Sequence, residues 1–307
     1  SLEKMIYQLD EPLADPAPLN VLWISQIASN LGIKVLLSGA GGDDLFSGYR
    51  RHFALNIEHI WEWLPIKIRY KFEKLSSKLP NTSPFLRRFN KAFSAASLSK
   101  EERLLNYFRW IKRADLQNLY SDELRKFVSI EDADQPIKNF LYELSSEMKN
   151  LEKMLRIEQR FFLTDHNLLY TDKMSMAEGV ETRVPFLDND LVDFARSIPI
   201  KWKQNGRISK WILKKSMESY LPHEVIYRSK SGFGAPMRYL FMNELRDWVF
   251  KILSKDRLKD RGLFNPEAVH SLIKRNLLGE IDASYTILSL ICVELWCDSY
   301  LSLNKEN

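Results

Sequence analysis

Residues 33–49 read IKVLLSGAGGDDLFSGY, and this stretch constrains the fold more than any other. The run from Ile33 to Leu37 is largely apolar and stops at Ser38–Gly39. Gly41, Gly42, Asp43 and Asp44 follow, and then a fresh apolar stretch. A short apolar run closed by small residues reads as a buried strand of a parallel sheet. Just upstream, residues 19–31 (LNVLWISQIASNL) carry Leu22, Ile24, Ile27, Ala28 and Leu31 at helical spacing, and Gly32 ends that helix. Helix, glycine, strand and glycine-rich turn make the αβ unit from which parallel sheets are built.

The turn itself has chemical content. Its glycines permit backbone conformations closed to other residues and let a ligand approach the main chain. A helix starting near Asp43 turns free amides toward the loop, which suits a phosphate or an adenylate. Asp43 or Asp44 then either caps that helix or holds a Mg²⁺ that shields a polyphosphate. Spacing alone leaves both readings open, because a tight turn with an aspartate cap has the same pattern.

Around this unit the chain is mostly helical in pattern. Residues 10–18, DEPLADPAP, form an irregular proline-rich loop. Residues 56–160 read as helices with breaks near 79–84 and 131–136, and 150–170 as a long amphipathic helix. Residues 172–188 (DKMSMAEGVETRVPFLD) interrupt that pattern. Asp188 is placed to cap the helix that follows, and Glu181 and Arg183 to pair and lock the turn. Residues 284–301 are apolar on most faces and predict a buried helix. The regions read as 1–55, sheet and loop; 56–160, helical; and 161–307, helical with functional segments.

With 307 residues and 45% hydrophobic side chains, the chain can bury a large core. A net charge of +5 is slight, a weak pointer to anionic small molecules such as nucleotides. The basic runs RYKFEK (69–74) and LRRFNKAF (86–93) read as solvated helix faces rather than a nucleic-acid surface. Cys292 and Cys297 read as reduced core thiols of a cytosolic protein, and the five histidines show no metal-ligand spacing. No signal peptide or membrane-span-length apolar run is visible.

Three segments in order, LLSGAGGDDLFSGYRRH, TDKMSMAEGVETRVPFLD and YRSKSGFGAPMRYLF, change the odds. Together with DEPLADPA they resemble the synthetase domain of asparagine synthetase-type, glutamine-dependent amidotransferases. The matched segments cover about a third of the chain. The resemblance implies an α/β fold with an ATP-pyrophosphatase-type parallel sheet, incomplete here, and a predominantly helical remainder. It implies that ATP and Mg²⁺ activate a carboxylate, usually aspartate, as an acyl-adenylate, and that glutamine-derived ammonia then displaces AMP. Ser38 and Gly39 match residues lining the nucleotide site, with Gly41 and Gly42 completing the loop. Asp43 matches the acid associated with Mg²⁺ and pyrophosphate, Tyr49 a tyrosine of the active-site wall, and Lys230 the lysine that steadies developing negative charge. Asp165 and Asp172 fall where the family has acidic residues near the site.

Two departures carry expectations of their own. Ala40 stands where family members usually carry an acid after the Ser-Gly, so the substrate is not aspartate, or amide formation is altered, or Asp44 or Asp15 substitutes. The family's Ser-Gly-Gly-x-Asp-Ser pyrophosphate loop and amino-terminal glutaminase cysteine do not occur in these residues. That implies the carboxy-terminal part of a longer enzyme partnered by a glutaminase domain, inactive alone as a ligase, with an exposed sheet edge that invites self-association. A relative that amidates a sugar acid or another carboxylate, and a non-catalytic nucleotide-binding relative, are the alternatives.

Overall fold

The computed structural model describes residues 1–78, 93, 95–229 and 236–301. Helices α1 (Leu2–Leu9) and α2 (Ala17–Asn30) lead into strand β1 (Val35–Leu37), then the one-turn helix α3 (Gly42–Phe46) and helix α4 (Arg50–Ile57). Gly32, at φ 75°, makes the turn out of α2 as its position predicts. Far along the chain, β2 (Glu181–Arg183) pairs in parallel with β1, setting Val35 against Glu181, Leu36 against Thr182 and Leu37 against Arg183. These two strands form the one sheet among the described residues.

The largest core joins the two ends of the sequence. Met5, Ile6 and Leu9 of α1 and Leu19 and Leu22 of α2 pack with Ile287, Leu288, Ile291, Cys292 and Leu295 of the helix Ser284–Tyr300. That helix is buried as its all-round apolar pattern predicts, and both cysteines are buried and free. The Trp296 indole N–H donates to the Asp10 carbonyl at 2.6 Å, and the Tyr300 hydroxyl to the Tyr7 carbonyl at 2.5 Å. A second cluster, including Leu55, Leu104, Leu141, Leu151, Met154 and Leu155, holds the helical middle together. A third and smaller one, Leu45, Phe46, Ala195 and Ile198 with Phe186 and Leu187 against it, lies under the glycine-rich loop.

The structure corrects three expectations. The strand begins at Val35, and it is not buried: Val35 is 40% and Leu37 75% exposed. Alternate residues of a strand face opposite sides, and no layer among the described residues covers the side that bears 35 and 37. The apolar set of α2 divides for the same reason. Leu22 and Ala28 turn to the core, whereas Ile24, Ile27 and Leu31 are exposed beside Trp23 and Ile33. Third, the helix expected over 150–170 runs on to 176 and changes pitch on the way. An α-helix, Asn150–Ile157, passes into a π-helix, Glu158–Leu168, and returns to an α-helix, Leu169–Met176.

Candidate active site

Strand β1 delivers the loop. The Ser38 N–H donates to the Arg183 carbonyl at 2.8 Å, extending the parallel ladder by one residue. The Ser38 hydroxyl then accepts the Ala40 N–H at 3.2 Å, and the Gly42 N–H donates to the Gly39 carbonyl at 3.3 Å. The three loop glycines differ in surroundings. A Cβ on Gly39 would meet nothing within 4 Å, so this end of the loop is open. Gly41 lies at φ 87°, and a Cβ there would stand 2.4 Å from Leu187 Cδ2. A Cβ on Gly42 would meet the Phe186 ring at an ordinary 3.5 Å. Gly41 thus serves the turn and its packing.

Asp43 and Asp44 are neighbours with opposite fates. Asp43 is partly buried and its Oδ1 lies 2.6 Å from the Lys210 ammonium. Lys210 itself holds a left-handed conformation, φ 53°, just before the helix Trp211–Met217. For a residue with a Cβ that conformation costs about 1–2 kcal/mol, which the surrounding structure offsets. The return of the loop runs close to Asp43. The Gly48 N–H donates to the Asp43 carbonyl at 2.8 Å, and a Cβ on Gly48 would fall 2.8 Å from the Asp43 Cα.

Asp44 points inward, 1% exposed, and the Tyr49 hydroxyl donates to both its oxygens at 3.3 Å. Burial pushes the Asp44 carboxyl up to about 7; nearby Glu158 and Asp43 push the same way, and Arg51 opposes them. Burial also holds the Tyr49 hydroxyl well above its ordinary range. The π-helix supplies the facing wall. Fully buried Glu158 accepts from Arg51 Nε and meets His52 Nε2 at 2.6 Å. The Arg51 guanidinium lies 4.2 Å from the Tyr49 ring centre and 4.8 Å from that of Phe162. The Gln159 amide donates to the Asp44 carbonyl at 3.3 Å, and the Asn167 amide to the Tyr49 hydroxyl at 3.2 Å.

The structure therefore brings Ser38, Gly39, Asp43 and Tyr49 together on one loop. Asp165 is exposed and pairs with Arg160 at 3.5 Å, and Asp172 is exposed on the helix Leu169–Met176. Lys230 lies outside the described residues. Glu181 and Arg183 do pair, at 2.9 Å, but on an exposed face where such a pair contributes little. Asp188 caps the next helix as its position predicts, accepting from Asp190 N–H at 3.1 Å and Leu191 N–H at 3.3 Å. Sequence reading missed Lys210, Glu158 and Asn167, none of which has a local signal.

Among the described residues no group of three or more His, Cys, Asp or Glu side chains is arranged to hold a metal ion. One carboxylate beside an open loop end still fits Mg²⁺, which keeps most of its own waters and takes few protein ligands alongside phosphate oxygens. Nor is any helix among the described residues long and apolar enough to cross a membrane.

A family model described as asparagine synthase matches residues 1–298. The "Putative asparagine synthetase [glutamine-hydrolyzing]" of Mycobacterium tuberculosis is 28% identical over 297 residues, 96% of this chain and 44% of that protein. "Asparagine synthetase [glutamine-hydrolyzing] 1" of Bacillus subtilis is 26% identical over 296 residues, 96% of this chain and 45% of that protein. "Asparagine synthetase [glutamine-hydrolyzing] 3" of Arabidopsis thaliana is 34% identical over 113 residues, 34% of this chain and 20% of that protein. The chain thus spans less than half the length of the two bacterial relatives.

Proposed function

The chain belongs to the asparagine synthase family, and from that premise we propose that it is the synthetase part of an ATP-dependent amidotransferase. In this reading a carboxylate, with aspartate the first to assay, is adenylated and then converted to its amide. The ammonia comes from glutamine, hydrolysed by a glutaminase part of the intact enzyme. The fold that accompanies the reading is an ATP-pyrophosphatase-type parallel sheet to which β1 and β2 belong.

The observation that carries the proposal is the meeting of Asp43 with Lys210 at 2.6 Å, beside Ser38 and Gly39 at the carboxyl end of a parallel strand. Ligands of open α/β sheets bind at that end. Ser38 and the open backbone at Gly39 line the nucleotide. Asp43 holds Mg²⁺, and Lys210, released from Asp43, faces the phosphate oxygens as a fixed cation. When bound, Mg·ATP supplies the α-phosphoryl group that the carboxylate takes up, with pyrophosphate leaving. Lys230 is assigned to steady the same developing charge. Tyr49 closes the inner wall by tying Asp44 down, and Asp165 and Asp172, both exposed, are assigned no contact with reacting atoms.

Calorimetric titration with pyrophosphate, with and without Mg²⁺, tests this. The protein should bind Mg·pyrophosphate, Asp43→Asn should lose the affinity that Mg²⁺ adds, and Lys210→Ala should bind at least tenfold more weakly, about 1.4 kcal/mol. Equal affinity in wild type and Lys210→Ala, or no binding by either, would refute the assignment.

A further inference from the structure

The π-helix does more than wall the loop. A π-turn takes in more residues than an α-turn, so Glu158, Phe162 and the pair His166–Asn167 come to one face, opposite Tyr49 and Arg51. From that face a line of polar contacts runs outward. Asp15, in the proline-rich loop, accepts the Ala17 N–H at 2.9 Å through Oδ1, and its Oδ2 lies 3.3 Å from His166 Nε2. His166 Nδ1 lies 3.0 Å from Asn167 Oδ1, and Asn167 Nδ2 donates to the Tyr49 hydroxyl at 3.2 Å. The hydroxyl in turn donates to Asp44. The His166 ring is stacked on Phe162, centres 4.8 Å apart, and meets Tyr170 edge-on at 5.2 Å. It has little freedom to rotate.

The line has one sense. An amide oxygen only accepts, so His166 donates to Asn167 and fixes which way that amide faces. The amide nitrogen is then committed to Tyr49, and the Tyr49 proton to Asp44. We propose that His166, braced by Asp15, is a positioning residue for the Asp43–Tyr49 loop, acting through Asn167 on the Tyr49 hydroxyl. The inference rests on reading that loop as a Mg·pyrophosphate site, and it adds control from outside the loop. Asp43 and Asp44 share a helix of one turn, and Gly48 beside Tyr49 is bonded to the Asp43 carbonyl. A Tyr49 released from Asp44 therefore loosens the loop that sets the position of Asp43.

The test uses protein labelled with ¹³C at tyrosine Cζ, with the Tyr49 resonance assigned through Tyr49→Phe. Two variants cut the line at adjacent links: His166→Phe keeps the ring stack without its N–H groups, and Asn167→Leu removes the amide. Both should move the Tyr49 resonance in the same direction, and both should weaken Mg·pyrophosphate binding about five- to tenfold. If His166→Phe fails to fold, His166→Leu takes its place. An unmoved Tyr49 resonance in both variants overturns the inference, whatever the protein binds. A moved resonance with unchanged pyrophosphate affinity overturns the positioning role. Absence of Mg·pyrophosphate binding by wild type instead refutes the reading of the loop, and the Tyr49 resonance still decides whether the line is coupled.

Discussion

Replacing Gly41 by alanine separates two demands that the loop makes on that position. At φ 87° an alanine pays a left-handed backbone cost of about 1–2 kcal/mol. Its Cβ would also stand 2.4 Å from Leu187 Cδ2 and 3.0 Å from Cγ. Relieving that contact means repacking Leu187 against the small cluster of Leu45, Phe46, Ala195 and Ile198, and overpacking of this kind costs about 1–3 kcal/mol. The expected total is about 2–5 kcal/mol by summing the two. Leu187→Ala removes the clashing atoms and leaves the backbone cost, so in that background Gly41→Ala should cost only about 1–2 kcal/mol. The pair should therefore couple by about 1–3 kcal/mol. Urea denaturation followed by tryptophan fluorescence on the four proteins measures this, provided the m-value stays constant. A Gly41→Ala cost below about 0.5 kcal/mol would show that the turn does not require glycine, and the same cost in both backgrounds that contact with Leu187 does not.

Glu158→Gln should lose about 3–5 kcal/mol in the same assay, because the Arg51 guanidinium then loses the buried carboxylate it pairs with; a loss under about 1 kcal/mol would mean that the pair contributes little. Asp44 offers a test in pH. Its carboxyl is raised to about 7 from 3.8. Between those values the folded protein retains a proton that the unfolded chain has released, so stability declines as pH rises through that window. Asp44→Asn has no such proton and should lack the decline; thermal midpoints of both proteins at pH 5 and pH 8 decide, and a parallel fall in the two would remove Asp44 as the cause.

What the sequence discloses here is local. Gly32, the glycines after β1, the cap at Asp188 and the apolar helix near the carboxyl end each follow from short-range spacing, and the structure has them all. Exposure of β1 was hidden because an apolar strand reads the same whether or not a layer lies over it. The fates of Asp43 and Asp44 depend on Lys210 and Tyr49, and only folding sets Lys210 beside the loop. Along the π-helix the change of pitch decides register: Asn167 reaches Tyr49 while Asp165 is exposed. A reading at 3.6 residues per turn has no means of sorting those neighbours.

The clasp between α1 and the helix Ser284–Tyr300 has a consequence for how the protein is made. Trp296 and Tyr300 bond to carbonyls at Asp10 and Tyr7, 286 and 293 residues away in sequence. On the ribosome, α1 emerges long before the partner that shelters Met5 and Ile6, so this greasy surface must wait. Contacts between residues so far apart slow the final collapse. Nascent chains stalled before residue 284 should therefore be the species that chaperones bind most avidly.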